Sequence, residues 1–94
     1  MAQQTEEQLG VQYYMNRDLE KARSTFEALY NRTPSQFNYY YYISTLFELK
    51  DFDKAEKVIK KQAKSDPADP RYQVDLGYLY IMQGDVAKGR KVYE

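Results

Sequence analysis

Aromatic side chains are the residues of this 94-residue chain best suited to binding chemistry. The sequence has 11 tyrosines and four phenylalanines, and the densest group is Phe37-Asn38-Tyr39-Tyr40-Tyr41-Tyr42. Tyrosine offers a rigid ring with one polar end and is favoured in binding surfaces. Four consecutive positions point to all sides of a helix, so these tyrosines cannot all lie in one core. The run therefore predicts both packing and exposed rings.

Catalytic chemistry is poorly represented. The chain has no histidine and no cysteine, which removes the commonest general base, the thiolate nucleophile and most transition-metal ligands. Asp51 and Asp53 stand at a predicted helix start, where acidic residues act as caps. The four glycines form no phosphate-binding loop. We therefore expect neither an enzyme nor a cofactor or metal site.

The balance of charge gives no sign of a nucleic-acid partner. Lysine plus arginine and aspartate plus glutamate each number 14, for a net charge of zero. Six lysines lie between Lys50 and Lys64, but Asp51, Asp53 and Glu56 are interleaved with them. A mixed stripe of this kind is typical of a solvated helix face. The expected partner is a protein or peptide.

Nothing in the sequence predicts membrane insertion, because no apolar run approaches the roughly 18 residues of a transmembrane span. Ala2-Gln3-Gln4 directly after Met1 resembles a mature terminus exposed by signal cleavage. The expected location is therefore the cytoplasm or, if that cleavage occurs, the periplasm. The sequence does not decide between them.

Pairs of small or aliphatic residues twelve positions apart recur along the chain. The pairs are Gly10 with Ala22, Ile43 with Ala55, and Gly77 with Gly89. Their first members lie 33 and 34 residues apart, a period that indicates stacked helical hairpins. Two antiparallel helices approach most closely where small residues face each other, so Ile43 predicts a wider second hairpin.

Three copies of this pattern resemble the tetratricopeptide repeat (TPR) family. The copies contain Leu9-Gly10-x-x-Tyr13 with Ala22-x-x-x-Phe26 and Pro34, then Ile43, Leu46, Ala55, Ile59 and Pro67, then Leu76-Gly77-x-x-Tyr80 with Gly89 and Tyr93. The family's tryptophan is missing, since Glu6, Tyr39 and Gln73 stand at its positions. The resemblance implies an all-α fold, a right-handed superhelix of stacked hairpins. It divides one domain into repeats 3–35, 36–69 and a truncated 70–94.

Local signals predict six helices, at 5–15, 18–32, 36–49, 52–65, 70–82 and 86–94. Thr5-x-x-Gln8 is a capping box, and the expected N-caps of later helices include Asp18, Asp51 and Asp85. Asp69-Pro70 predicts an N-cap followed by a proline at the first helical position. Thr33-Pro34 and Asp66-Pro67 are expected to end helices. Since the last helix stops before its closing turn, we expect a fragment of a longer protein, with an open edge able to self-associate.

In TPR proteins the first helix of each hairpin lines a concave groove. By this resemblance the partner-binding residues are Val11, Tyr14, Met15, Phe37, Tyr40, Tyr41, Ser44, Arg71, Val74 and Tyr78. Phe47 and Ile81 also fall in the aligned lining, but for these and Tyr14 packing between repeats is the favoured interpretation. Glu7 and Asp75 occupy positions where a carboxylate-binding TPR carries basic or amide residues, which argues against that subclass.

The expected function is a protein–protein interaction scaffold that holds a peptide segment in this aromatic groove. One alternative is a surface for a small ligand or glycan, with Tyr40, Tyr41 and Tyr78 stacking on sugar rings. Another is a passive spacer or oligomerisation element. A peptide groove spreads its contacts over many residues, whereas a sugar site depends on one or two adjacent tyrosines.

Overall fold

The computed structural model describes residues 5–93, and of Tyr93 the backbone only. This range holds six α-helices and no strand, which confirms the all-α prediction. The helices are α1 (Glu6–Met15), α2 (Leu19–Arg32), α3 (Gln36–Glu48), α4 (Phe52–Ser65), α5 (Arg71–Met82) and α6 (Val86–Tyr93). The chain divides after Lys50 into two compact units, so α1 to α3 and α4 to α6 are described separately. The expectations placed on Ala2-Gln3-Gln4 and on the Tyr93 side chain lie outside the described residues.

Most helix boundaries follow the predicted capping chemistry. The Thr5 hydroxyl accepts from the Gln8 amide at 3.1 Å, while the Gln8 side chain accepts from the Thr5 amide at 2.9 Å. Thr33 and Asp66 precede prolines and leave helical geometry, each with φ near −139°. A proline disfavours helical geometry in the residue before it, so both stops were readable from the sequence.

Three predicted starts differ in detail. Asp18 stands at the N-cap of α2, but its carboxylate makes no capping hydrogen bond and instead lies 3.6 Å from Lys21 Nζ. Pro70 is the N-cap of α5 rather than its first helical residue, and Asp69 accepts from the Arg71 amide at 3.0 Å. Ser35 caps α3, because its hydroxyl accepts from the backbone amide of Asn38, and this cap was not among the predicted ones.

The turns after α1, α3 and α5 share one backbone conformation. Arg17, Lys50 and Gly84 have φ of 64°, 59° and 88°, and they follow each other at the intervals of 33 and 34 residues seen in the sequence. In the first and third turns the next residue, Asp18 or Asp85, donates its amide to a carbonyl five residues earlier. This is the bonding of a Schellman motif, whose left-handed residue is usually glycine.

Two glycines lie at close helix–helix approaches. A Cβ added to Gly89 of α6 would stand 2.9 Å from the Gly77 carbonyl oxygen and 2.6 Å from Ile81 Cγ1 of α5. The predicted Gly77–Gly89 pairing is thereby confirmed. A Cβ added to Gly10 would instead meet the Phe26 ring at 2.8 Å and Thr25 at 3.1 Å. In the first hairpin the atoms nearest to such a Cβ therefore belong to the Phe26 ring and to Thr25.

The core of the first unit comes from α1, α2 and α3, which pack against one another. Ala22, Phe26 and Leu46 are fully buried. Asn38 is also buried, and its amide donates to the Thr33 carbonyl at 2.9 Å, which satisfies an acceptor at the end of α2. The Tyr30 ring packs on the rings of Tyr39 and Tyr42 of α3, with centroid distances of 6.2 and 5.8 Å.

In the second unit, α5 contacts both α4 and α6. Ala55, Ile59 and Leu79 are fully buried, and Tyr72 and Tyr80 nearly so. The Tyr72 hydroxyl accepts from Gln62 Nε2 at 3.3 Å, which joins α5 to α4. Across residues 5–93, no helix combines the length and apolar character needed to cross a bilayer.

Candidate functional site on the face of α1 and α3

Tyr41 is the centre of an aromatic cluster in the first unit. Its ring stacks on Phe26 of α2, with centroids 5.1 Å apart and planes at 13°. The Phe37 ring lies 5.0 Å away on the same helix, and Tyr14 of α1 meets Tyr41 edge-on at 5.6 Å. Since Phe26 is fully buried, Tyr41 anchors α3 on both helices of the preceding hairpin. The half-buried Tyr41 is thus mainly a packing residue.

Tyr40 presents its ring to solvent. Its side chain is 63% exposed, and the ring meets Tyr41 edge-on at 5.4 Å and 88°. Edge-to-face contacts of this kind contribute about 0.5–1.5 kcal/mol. Phe37 is 46% exposed and Met15, the last residue of α1, is 70% exposed. Tyr40 therefore offers a ring whose orientation is already fixed by its neighbour.

A salt bridge lies beside these rings. Arg17 Nη2 is 3.0 Å from Glu48 Oε2, and hydrogen bonding to Glu48 raises the pKa of Arg17. The pKa of Tyr14 is raised as well, first by burial and then by the negative charge of Glu48 and the proximity of Tyr40. At neutral pH this part of the face therefore carries a neutral phenol, able to donate a hydrogen bond, next to a closed ion pair.

The structure connects four predicted partner-binding residues through ring contacts, because Tyr14, Phe37 and Tyr40 each contact Tyr41. Val11 and Ser44 are half-buried, and Met15 is exposed. Helical spacing places Val11 and Met15 on the same side of α1 as Tyr14, and Ser44 one turn beyond Tyr40 on α3. Helices α1 and α3 contact each other. We call this surface the aromatic face.

The remaining predicted residues lie on α5 in the second unit. Val74 and Tyr78 are each 52% exposed and stand one turn apart, followed by Ile81 at 39% and Met82 at 37%. Ile81 was expected to pack between repeats; its side chain lies against Gly89 of its own hairpin and is partly exposed. Arg71, the third predicted partner-binding residue of α5, is held by Asp69, whose carboxylate accepts from its guanidinium. This bonding lowers the pKa of Asp69 and raises that of Arg71.

A polar cluster in the second unit was not predicted. The Tyr80 hydroxyl donates to Glu56 Oε2 at 2.6 Å, and Lys60 Nζ lies 3.2 Å from the same oxygen. Lys88 Nζ stands 4.3 Å above the Tyr80 ring. The bond from Tyr80 lowers the pKa of Glu56, while burial and then that bond raise the pKa of Tyr80. Only the Glu56–Lys60 spacing of four residues could have signalled this cluster.

A shallow depression on α1 and α2 also had no sequence signal. It is lined by Tyr13, Glu20, Lys21, Ser24 and Thr25. Lys21 Nζ lies 5.7 Å from the Tyr13 ring centroid. Glu20 is bound by Arg23 at 2.6 Å, so its carboxylate is already engaged. The depression therefore presents the hydroxyl groups of Ser24 and Thr25 beside the Tyr13 ring.

In the described part of the chain, residues 5–93, no three acidic side chains form a group suited to a metal ion. Comparison of the sequence with protein-family models and with curated proteins finds no match. The interpretation of the aromatic face therefore depends on its own geometry.

Proposed function

We propose that this chain is a protein–protein interaction scaffold of the TPR type and that it binds a peptide segment on the aromatic face. The observation that carries the proposal is the pair Tyr40 and Tyr41. Tyr41 is anchored on the buried Phe26, and Tyr40 stands edge-on to it with most of its ring exposed. A ring held in place before binding loses little conformational entropy when a partner arrives.

The TPR assignment is supported by the repeat period. The intervals that relate Gly10, Ile43 and Gly77 in sequence also relate the left-handed turn residues Arg17, Lys50 and Gly84. A recurring backbone conformation at a recurring spacing is what stacked hairpins require. We accordingly propose a right-handed superhelix of three TPR-like hairpins, with repeats at 3–35, 36–69 and 70–94.

The chemistry of the aromatic face suits an extended peptide. Tyr40, Phe37 and Met15 supply exposed apolar surface, and methionine adapts its shape to its partner. The neutral Tyr14 phenol can bond a peptide carbonyl. On α5, the exposed Val74 and Tyr78 form a second apolar strip, which we propose as a further contact element for the same class of partner.

The test is selection from a random peptide library on the immobilised 94-residue chain, followed by fluorescence anisotropy with the enriched peptides. Tyr40→Ala should weaken binding about tenfold or more, as truncation of an interface tyrosine does at a hot spot. Tyr78→Ala is the matched variant, a tyrosine of similar exposure on α5. Circular dichroism of both variants confirms that the helices are retained.

Three outcomes distinguish the alternatives. Loss of affinity with both variants supports contact along α3 and α5, and loss with Tyr40→Ala alone confines the site to the aromatic face. Competition by free oligosaccharides would indicate a glycan-binding surface instead. Enrichment of no peptide, or binding unaffected by either variant, would contradict the proposal and favour a passive spacer or oligomerisation element.

A further inference from the structure

The charged side chains carried by α1 and α3, the two helices of the aromatic face, are paired, with one exception. Arg17 binds Glu48 and Arg32 binds Glu6, each at 3.0 Å. Helix α3 carries no charge before Glu48. Within residues 5–93, the exposed carboxylate of Glu7 takes part in no salt bridge or side-chain hydrogen bond. Among the charges that α1 and α3 carry, the one unpaired within residues 5–93 is therefore the negative carboxylate of Glu7.

The position of Glu7 relative to the rings follows from helix geometry. Glu7 and Tyr14 are seven residues apart, so they lie on the same side of α1 within about 20° and are separated by about 10 Å along the axis. Val11 lies between them on that side. Glu7 thus marks the end of the aromatic face nearest the start of α1, and the exposed rings mark its middle.

We propose that the segment bound here carries a lysine or arginine three residues from an apolar or aromatic side chain. This inference rests on the proposed peptide-binding function. In a polyproline II segment, side chains three residues apart point to the same side and the chain advances about 3.1 Å per residue, so this spacing covers the distance of about 10 Å from Glu7 to Tyr14. The basic side chain meets Glu7, and the apolar one packs beside Tyr14 and Tyr40. An acidic segment is disfavoured by the same charge.

Three labelled hexapeptides test the charge requirement: Gly-Lys-Gly-Ser-Phe-Gly and the same peptide with Gln or Glu in place of Lys. Each is also made in the reverse order, because an extended segment can run either way along the face. The full chain should bind the Lys peptide tightest and the Glu peptide weakest. Each step should be about two- to fivefold at low salt, as for an exposed ion pair, and should shrink at high salt.

Glu7→Gln should make the Lys and Gln peptides bind equally. Glu27→Gln is the matched control, because Glu27 lies on α2 and its carboxylate is likewise outside every salt bridge within residues 5–93. It should leave the order of the three peptides unchanged. Since Glu7 is also in the first turn of α1, the melting temperature of Glu7→Gln is measured to show that the chain stays folded.

The outcomes separate this inference from the proposed function. Equal affinity for all three peptides, or an order that persists in Glu7→Gln, overturns the basic-residue requirement. If Tyr40→Ala still weakens binding in that case, the aromatic face remains the binding site. If Tyr40→Ala leaves peptide affinity unchanged, or if no peptide binds, both the peptide-binding function and the basic-residue requirement are wrong.

Discussion

Arg17 donates to Glu48 across 3.0 Å, and this bond joins the turn after α1 to the last residue of α3. Arg17 holds a left-handed conformation with φ of 64°, a geometry that glycine adopts without steric cost. Its side chain therefore provides a contact that glycine could not. Lys50, at the equivalent position after α3, has φ of 59°, and within residues 5–93 its ammonium group is in no salt bridge.

Lys50→Gly should stabilise the chain by about 0.5–1 kcal/mol, because relief of the left-handed strain exceeds the added entropy of the unfolded glycine. Arg17→Gly gains the same relief but loses the bond to Glu48, so its gain should be smaller. Urea denaturation of both variants measures the difference. A larger gain from Arg17→Gly would show that the salt bridge does not contribute to stability.

Substitution of Tyr41 should mainly lower stability, whereas substitution of Tyr40 should mainly weaken peptide binding. Tyr41→Ala removes the ring that stacks on Phe26 and should destabilise the chain by about 2–3 kcal/mol. Tyr40→Ala should cost less than about 1 kcal/mol, since its ring is mostly exposed. Thermal unfolding of the two single variants checks this. A double variant would not be informative, because loss of binding could then follow from loss of structure.

Gly89 and Gly84 isolate two different effects of a glycine. A Cβ at Gly89 collides with the Gly77 carbonyl and Ile81, so Gly89→Ala should cost about 1–3 kcal/mol despite the better helix propensity of alanine. A Cβ at Gly84 meets nothing within 4 Å. Gly84→Ala should therefore cost about 1 kcal/mol, from its φ of 88° alone.

The measurement is urea denaturation with Gly84→Asn as a third variant. Asparagine tolerates the left-handed region better than alanine does, so Gly84→Asn should be the milder substitution. If Gly84→Ala and Gly84→Asn lowered the free energy of unfolding equally, the left-handed backbone at position 84 would not explain the loss. If Gly89→Ala left the free energy of unfolding unchanged, α5 and α6 would be able to move apart without loss of packing.

The hydrogen bond from Tyr80 to Glu56 should make the free energy of unfolding decrease both at low pH and at high pH. The pKa of Glu56 is lowered in the folded state, so its stabilisation is present above about pH 4.3, its pKa when unfolded, and is lost as pH falls through the folded pKa. The pKa of Tyr80 is raised, so its stabilisation persists to about pH 10 and is lost as pH rises through the folded pKa.

Tyr80→Phe should reduce stability by about 1–2 kcal/mol at pH 7, as for a hydrogen bond to a charged group. The difference from wild type should narrow as the pH falls through the lowered pKa of Glu56 and its carboxylate becomes protonated. Tyr78→Phe, an exposed tyrosine on the same helix, serves as the control and should change little. If the difference in unfolding free energy between wild type and Tyr80→Phe did not change with pH, the bond from Tyr80 would not be what lowers the pKa of Glu56.

The helices could be predicted because their signals are local. Pro34 and Pro67 act on the residue directly before them, and the box of Thr5 and Gln8 lies within one turn. That Tyr39 and Tyr42 are buried while Tyr40 is exposed agrees with the expectation that four consecutive tyrosines cannot all lie in one core. Such features need no knowledge of the neighbouring helix.

What could not be predicted depends on the approach of separate helices. Tyr41 was placed in the groove by alignment, yet its stacking on Phe26 requires the actual spacing of α2 and α3. The bonds from Arg17 to Glu48 and from Tyr80 to Glu56 join residues 31 and 24 positions apart. Asp18 was expected to cap α2, but the nearby ammonium of Lys21 attracts its carboxylate instead.

The edge-on rings around Tyr41 have an optical consequence. The chain contains no tryptophan, so its near-ultraviolet spectrum comes mainly from its 11 tyrosines, with a weaker contribution from its four phenylalanines. Tyr14 and Tyr40 lie 5.6 and 5.4 Å from Tyr41 at nearly right angles, and transition dipoles so close and so fixed are coupled. Circular dichroism in the near-ultraviolet band of tyrosine is therefore a label-free reporter of this cluster. Binding of a peptide segment against the Tyr40 ring would change the near-ultraviolet circular dichroism of these tyrosines.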